Sequence, residues 1–159
     1  MKETIVLGLD PGTRRFGWGV VARRGTRLVH LAHGVVALGD GPLPLRLAAL
    51  EKALDEIVRA HAPTHASVET IFFHKDAQAA AKLGHARGVA LLICGRASLE
   101  VHEYAPARVK RVVAAHGRAA KAQVAQMIRV ILSLPSAPAS DAADALALAV
   151  THLQNSFAR

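Results

Sequence analysis

Residues 4–24 read TIVLGLDPGTRRFGWGVVARR: an apolar run, a single acid, a turn, and a second apolar run. Ile5, Val6, Leu7 and Leu9 predict a strand buried on both faces that ends at Asp10. Pro11, Gly12 and Thr13 supply a turn, and FGWGVV predicts a second strand. A third extended run follows the short turn Gly25-Thr26, so strands at 3–10, 15–24 and 27–37 form an antiparallel meander. That meander excludes a plain doubly wound Rossmann sheet. The turn GLDPGTRRFG also lacks the G-x-G-x-x-G and G-x-x-x-x-G-K-[ST] patterns, which argues against dinucleotide binding.

Asp10 poses a chemical question. An unpaired carboxylate at the end of a buried strand costs several kcal/mol of desolvation, so it requires a cation, a donor or a proton. The amides of the turn satisfy it in one reading. A metal ion satisfies it in another.

Outward from the meander, Leu45, Leu47, Leu50, Leu54, Ile57 and Val58 recur at helical spacing, ending at Ala62-Pro63-Thr64. HASVET predicts a short strand finishing near Glu69. A long helix is expected from Asp76, its N-cap, to about Ser98, and EVHEYA is a fifth strand. Pro106 starts a short helix that Gly117 interrupts, and a further helix covers 120–133. The last helix begins at Asp141, with Ser140 or Asp141 as its cap. Three antiparallel strands followed by alternating helices and strands make a mixed α/β arrangement.

The 159 residues, 52% of them hydrophobic, suit one globular domain. No apolar stretch is long enough to span a bilayer, and the N-terminus lacks a signal-peptide pattern. Cys94 is the only cysteine, so a reducing cytosol is the expected home. Twenty Lys and Arg against twelve Asp and Glu give a net charge of +8, which points to a polyanionic partner, nucleic acid first. The cations are grouped: Arg14, Arg15, Arg23, Arg24 and Arg27 early, then Arg108, Lys110, Arg111, Arg118, Lys121 and Arg129 late. Grouping favours a surface that tracks phosphates.

Three further acids are candidates to join Asp10. Glu69 ends ASVE, again after small and apolar residues. Asp141 and Asp144 stand three apart at a helix start and share a face. Capping accounts for one of them, and a divalent cation accounts for both. Oxygen ligands suit Mg²⁺ or Mn²⁺, and four acids can hold two ions about 3.5–4 Å apart. Basic surface around an acidic centre fits cleavage of a phosphodiester. The nine histidines show no zinc spacing, and His74 and His152 carry no assigned role.

The segments GLDPGTRRFGWGVV, SVETIFFHKDAQAAAKLGHARGVALL, EYAPARVKRVVAAHGRAAKAQVAQMI and ASDAADALALAVTH resemble the successive motifs of the RuvC family of Holliday-junction resolvases. The resemblance runs from about residue 4 to 152. It implies a ribonuclease H-like fold: a five-stranded mixed sheet, three antiparallel strands then two parallel, flanked by helices. Residues 1–155 would form the nuclease domain, with a tail at 156–159. It further implies a cytoplasmic homodimer that nicks four-way DNA junctions in pairs, using Mg²⁺, with Mn²⁺ as a substitute and two ions per site. A branch-migration complex is an implied partner. On that pattern Asp10, Glu69, Asp141 and Asp144 are the metal-binding catalytic acids, and Lys110 and Lys121 lie near the scissile phosphate.

Phe72 is implied as the wedge at the junction centre, with Phe73 beside it, and Arg14 and Arg118 as phosphate contacts. The small residues of the long helix, Ala86 among them, are the expected dimer contact. Three other functions fit parts of the pattern. A ribonuclease H-type or pre-ribosomal RNA nuclease would share the acids but read the 2′-hydroxyl. LDPGT also looks like the phosphate loop of actin-like kinases, which need two such domains where this chain has room for one. A junction-binding scaffold without catalysis would not need the acids.

Overall fold

The alternation of the opening stretch sends its side chains into two separate cores. In the computed structural model, which describes residues 3–71 and 76–156, Leu7 and Leu9 join a core with Phe16, Leu50, Leu54 and Ile93. Val6 points the other way, into a core with Val21, Val113, Ile128, Leu146 and Leu153. Period-two alternation is the cause.

Five strands make one sheet: β1 (Thr4–Asp10), β2 (Arg15–Arg24), β3 (Arg27–Ala37), β4 (His65–Glu69) and β5 (Glu100–Tyr104), in the order β3-β2-β1-β4-β5. β1 pairs antiparallel with β2 and parallel with β4, β2 pairs antiparallel with β3, and β4 pairs parallel with β5. This is the expected ribonuclease H-like sheet. Helices α1 (Leu43–His61) and α2 (Ala77–Arg96) cover one face. Helices α3 (Pro106–Ala114), α4 (Lys121–Ile131) and α5 (Ser140–Asn155) cover the other. Asp76 caps α2 as expected, its carboxylate accepting from the amides of Gln78 and Ala79. No helix among the described residues is long and apolar enough to cross a membrane.

Helix α5 is buried on all sides from Ala145 to Leu153, as its Ala/Leu/Val content dictates. It lies on β1 and β2 because the sheet beneath it is floored with glycine. A Cβ at Gly8 would come within 1.8 Å of the Ala145 carbonyl oxygen, and one at Gly17 within 2.0 Å of the Asp141 carbonyl oxygen. Only glycine permits that approach.

Two expectations change. The N-cap of α5 is Ala139, in extended backbone and without a side-chain cap, so neither Ser140 nor Asp141 caps it. The helix starts one residue early, and Asp141 turns its carboxylate to Arg15 instead. Ala86 is fully buried in the core between α1, α2 and the sheet, so it offers no surface to a partner.

Candidate functional site

Asp10 and Glu69 end adjacent parallel strands, β1 and β4, so the sheet delivers both carboxylates to one edge. Asp141 and Asp144 come from the first turn and a half of α5, which the glycine floor sets directly above that edge. Ser67, two residues before Glu69, donates to the Leu148 carbonyl at 2.8 Å and ties β4 to the same helix. All four acids line a cavity of about 390 Å³, together with Arg15, Lys110 and Lys121. A second cavity of about 240 Å³ shares Asp10, Glu69 and Pro106 and reaches Thr70 and Arg87.

The electrostatics are those of a crowded acidic cluster. Burial pushes the Asp10 carboxyl up to about 7, with Asp144, Asp141 and Glu69 adding to the rise and Lys121 opposing it. Burial raises Asp144 too, while Lys121 and Lys110 pull it down and Asp141 pushes it up. Lys121 Nζ stands 3.8 Å from an Asp144 carboxylate oxygen. Arg15 Nε donates to Asp141 Oδ2 at 2.8 Å. Both cations are largely exposed, so they remain available to an incoming anion.

The other expected DNA contacts divide. Lys110 and Lys121 line the acidic cavity. Arg14 does not; it pairs with Asp40 at 3.1 Å on open surface. Arg118 is exposed between α3 and α4, also outside the cavity lining. Phe72, Phe73 and His74 lie outside the described residues.

Three functional positions escaped the sequence reading. Arg15 was grouped only as a general cation, yet it holds Asp141. Arg87 is 8% exposed, and it donates to the Glu69 carbonyl at 2.7 Å and to Glu103 Oε1 at 2.6 Å. It fixes the end of β4 from behind, and an arginine in the middle of an Ala/Gly-rich helix is the signal for it. Gly17 sets the height of Asp141, but no local pattern distinguishes a glycine under a helix from one in an ordinary strand.

The profile of the family described as crossover junction endodeoxyribonuclease RuvC matches residues 6–152. Crossover junction endodeoxyribonuclease RuvC of Sorangium cellulosum is 52% identical over 149 residues, covering 93% of this chain and 83% of that protein. Among solved structures, Thermus thermophilus RuvC in complex with Holliday junction substrate superimposes with a TM-score of 0.89 at 37% identity, over 96% of this chain and 94% of that one. The yeast mitochondrial Holliday junction resolvase Ydc2 shares the fold alone, with a TM-score of 0.66 at 12% identity over 92% of this chain and 76% of that one. With its acids gathered around one cavity and residues 6–152 matched by the family profile, the chain belongs to the RuvC family of crossover junction endodeoxyribonucleases.

Proposed function

We propose that this chain is a divalent-metal-dependent endonuclease that resolves four-way DNA junctions in recombination and repair. One observation carries the reading: four carboxylates from three separate parts of the sequence line one cavity, ringed by Arg15, Lys110 and Lys121. Asp10, Glu69, Asp141 and Asp144 are its catalytic acids and would hold Mg²⁺, with room for two ions. Their donors are all carboxylate oxygens, which suits Mg²⁺ or Mn²⁺. Burial first, then the neighbouring Asp144, Asp141 and Glu69, push the Asp10 carboxyl up to about 7 against the pull of Lys121, and a bound cation would favour its charged form. When bound, such ions supply charge neutralisation at the scissile phosphate and activation of the attacking water.

The chain's own residues do the rest. Lys121 and Lys110 hold the phosphate beside the acids by charge-assisted contacts. Arg15 fixes the rotamer of Asp141, and Arg87 fixes the backbone under Glu69. Phe72 or Phe73 would stack on an unpaired base at the junction centre.

Paired nicking requires two such sites, and a two-fold dimer supplies them. On α2, Ala81, His85, Gly88, Leu92 and Gly95 are exposed at alternating spacings of four and three, one face of the helix. Leu92 is half-exposed, and a Cβ at Gly88 or Gly95 would meet nothing. That face is the dimer contact we propose, working in the cytoplasm, where a bacterial chromosome lies.

The deciding experiment offers the chain a synthetic mobile four-way DNA junction and, separately, an RNA–DNA hybrid, each with and without Mg²⁺. Symmetric nicks in the junction that require Mg²⁺ are expected. Degradation of the hybrid with the junction untouched would replace this reading with a ribonuclease.

A further inference from the structure

The far half of α5 carries a second cluster that the nuclease does not use. In the parallel ladder His65 pairs with Glu100 and Ser67 with His102, so His65, Ser67, Glu100, His102 and Tyr104 alternate onto the face that α5 covers. His152 stands one turn beyond Leu148, the residue whose carbonyl Ser67 holds. One ring nitrogen from each of His65, His102 and His152 lies within 4.8 Å of the others. The rings of His102 and His152 stack at 4.1 Å.

We propose that His65, His102 and His152 form a binding site for a first-row transition metal, Zn²⁺ foremost, with the fourth position open to water. Two of the rings are already held from outside the cluster. His152 Nδ1 shares a 2.9 Å hydrogen bond with the Tyr104 hydroxyl, and His65 Nδ1 shares one of 2.8 Å with Thr64 Oγ1. Partners of this kind on the far ring nitrogen are how metal-binding histidines are oriented. His102 Nε2 is buried without a hydrogen-bond partner. It lies 3.1 Å from Glu100 Oε1 at an angle that makes no bond, and His65 Nε2 lies 3.5 Å from Glu100 Oε2. The Glu100 carboxylate thus lies beside two of the three rings and adds negative charge at the cluster.

Imidazole nitrogen selects zinc, cobalt, nickel or copper over Mg²⁺, so this site and the carboxylate cavity take different metals. An ion here would clamp β5 to β4 and α5, the two elements that carry Glu69, Asp141 and Asp144. His152 lies about 12 Å along the helix from Asp144. Its role is to hold the frame of the nuclease, outside the chemistry itself. The proposal stands whether or not the chain cuts junctions.

The test uses the tag-free full chain, stripped with chelator and returned to excess Mg²⁺ so that the carboxylates are occupied. Titration with Co²⁺ is read by visible absorption, followed by displacement with Zn²⁺. One Co²⁺ per chain with intense tetrahedral bands is expected, along with a rise in melting temperature. His102→Gln and the part-exposed His65→Gln should each weaken binding by about 100-fold or more, whereas Asp141→Asn should leave it unchanged. Circular dichroism checks that the variants fold, and His65→Gln decides if His102→Gln does not. Absence of tetrahedral bands, equal uptake by a folded histidine variant, or loss of uptake in Asp141→Asn would each overturn the site.

Discussion

Asp10→Asn should stabilise the metal-free protein in a pH-dependent way. The Asp10 carboxyl titrates near 7 in the folded chain against 3.8 as an ordinary aspartate. Its folded pKa is raised, so the folded state holds a proton that the unfolded state has released. Stability from this group is therefore lost as pH rises from about 4 to 7, at about 1.4 kcal/mol per unit. The full window corresponds to a penalty on the order of 4 kcal/mol above pH 7. Asparagine carries no charge to desolvate, so the variant escapes that slope. Between pH 5 and pH 8 the gap in unfolding free energy should widen by about 2–3 kcal/mol in favour of Asp10→Asn. For a domain of this size that is roughly 4–12 °C in Tm. Urea unfolding at both pH values in EDTA measures it. Millimolar Mg²⁺ at pH 8 should narrow the gap, because only the wild type gains a full set of anionic ligands. A gap that is the same at pH 5 and pH 8 would refute the electrostatic argument and leave Asp10 an ordinary turn residue.

Other perturbations test the scaffold and the surface. Gly17→Ala forces a methyl against the Asp141 carbonyl, so it should cost about 1–3 kcal/mol in stability and, through a shift of α5, about 100-fold in nicking rate; unfolding curves and single-turnover cleavage report both. Lys121→Ala should reduce the slope of log K against log salt by about 0.9, one phosphate contact, measured by junction binding across salt concentrations. Leu92→Glu should give folded monomers by light scattering that nick one strand at a time, and a stable dimer would remove the exposed face of α2 from the interface.

Much of the fold is legible because its strongest determinants are local. The apolar run ending at Asp10, the two-residue turn at Gly25-Thr26 and the capping aspartate at Asp76 each act within a few residues. Strand and helix bounds accordingly fall close to expectation. The start of α5 departs because the residue types at 139–141 favour a polar cap, while Arg15, distant in sequence, captures the Asp141 carboxylate at 2.8 Å. Ala86 departs for a related reason. Composition says that a helix is rich in small residues but not which of its faces the sheet takes. The burial of Ala86 and Ala90 and the exposure of Gly88 and Leu92 follow from where α1 docks.

The acidic cluster was legible in its carboxylates and obscure in its supports. A carboxylate at the end of a buried strand is costly, so Asp10 draws attention, and Glu69 at a second strand end and the Asp141/Asp144 pair at a helix start repeat the signal. Gly17, Arg87 and Ser67 announce nothing, because each is unremarkable until a distant element arrives: Asp141 over Gly17, Glu69 before Arg87, Leu148 beside Ser67. The histidines behave the same way. His65, His102 and His152 match no ligand spacing along the chain, and only the parallel ladder and one turn of α5 bring their nitrogens together. Both clusters thus depend on one object, α5 pressed onto β1, β2 and β4, with carboxylates at its start and an imidazole near its end. A change that lifts this helix should disturb both ends at once. Gly8, whose Cβ would strike Ala145 between them, is the place to apply it: Gly8→Ala should weaken Mg²⁺-dependent nicking and Co²⁺ uptake together, and loss of one with the other intact would mean that the helix does not move as a rigid body.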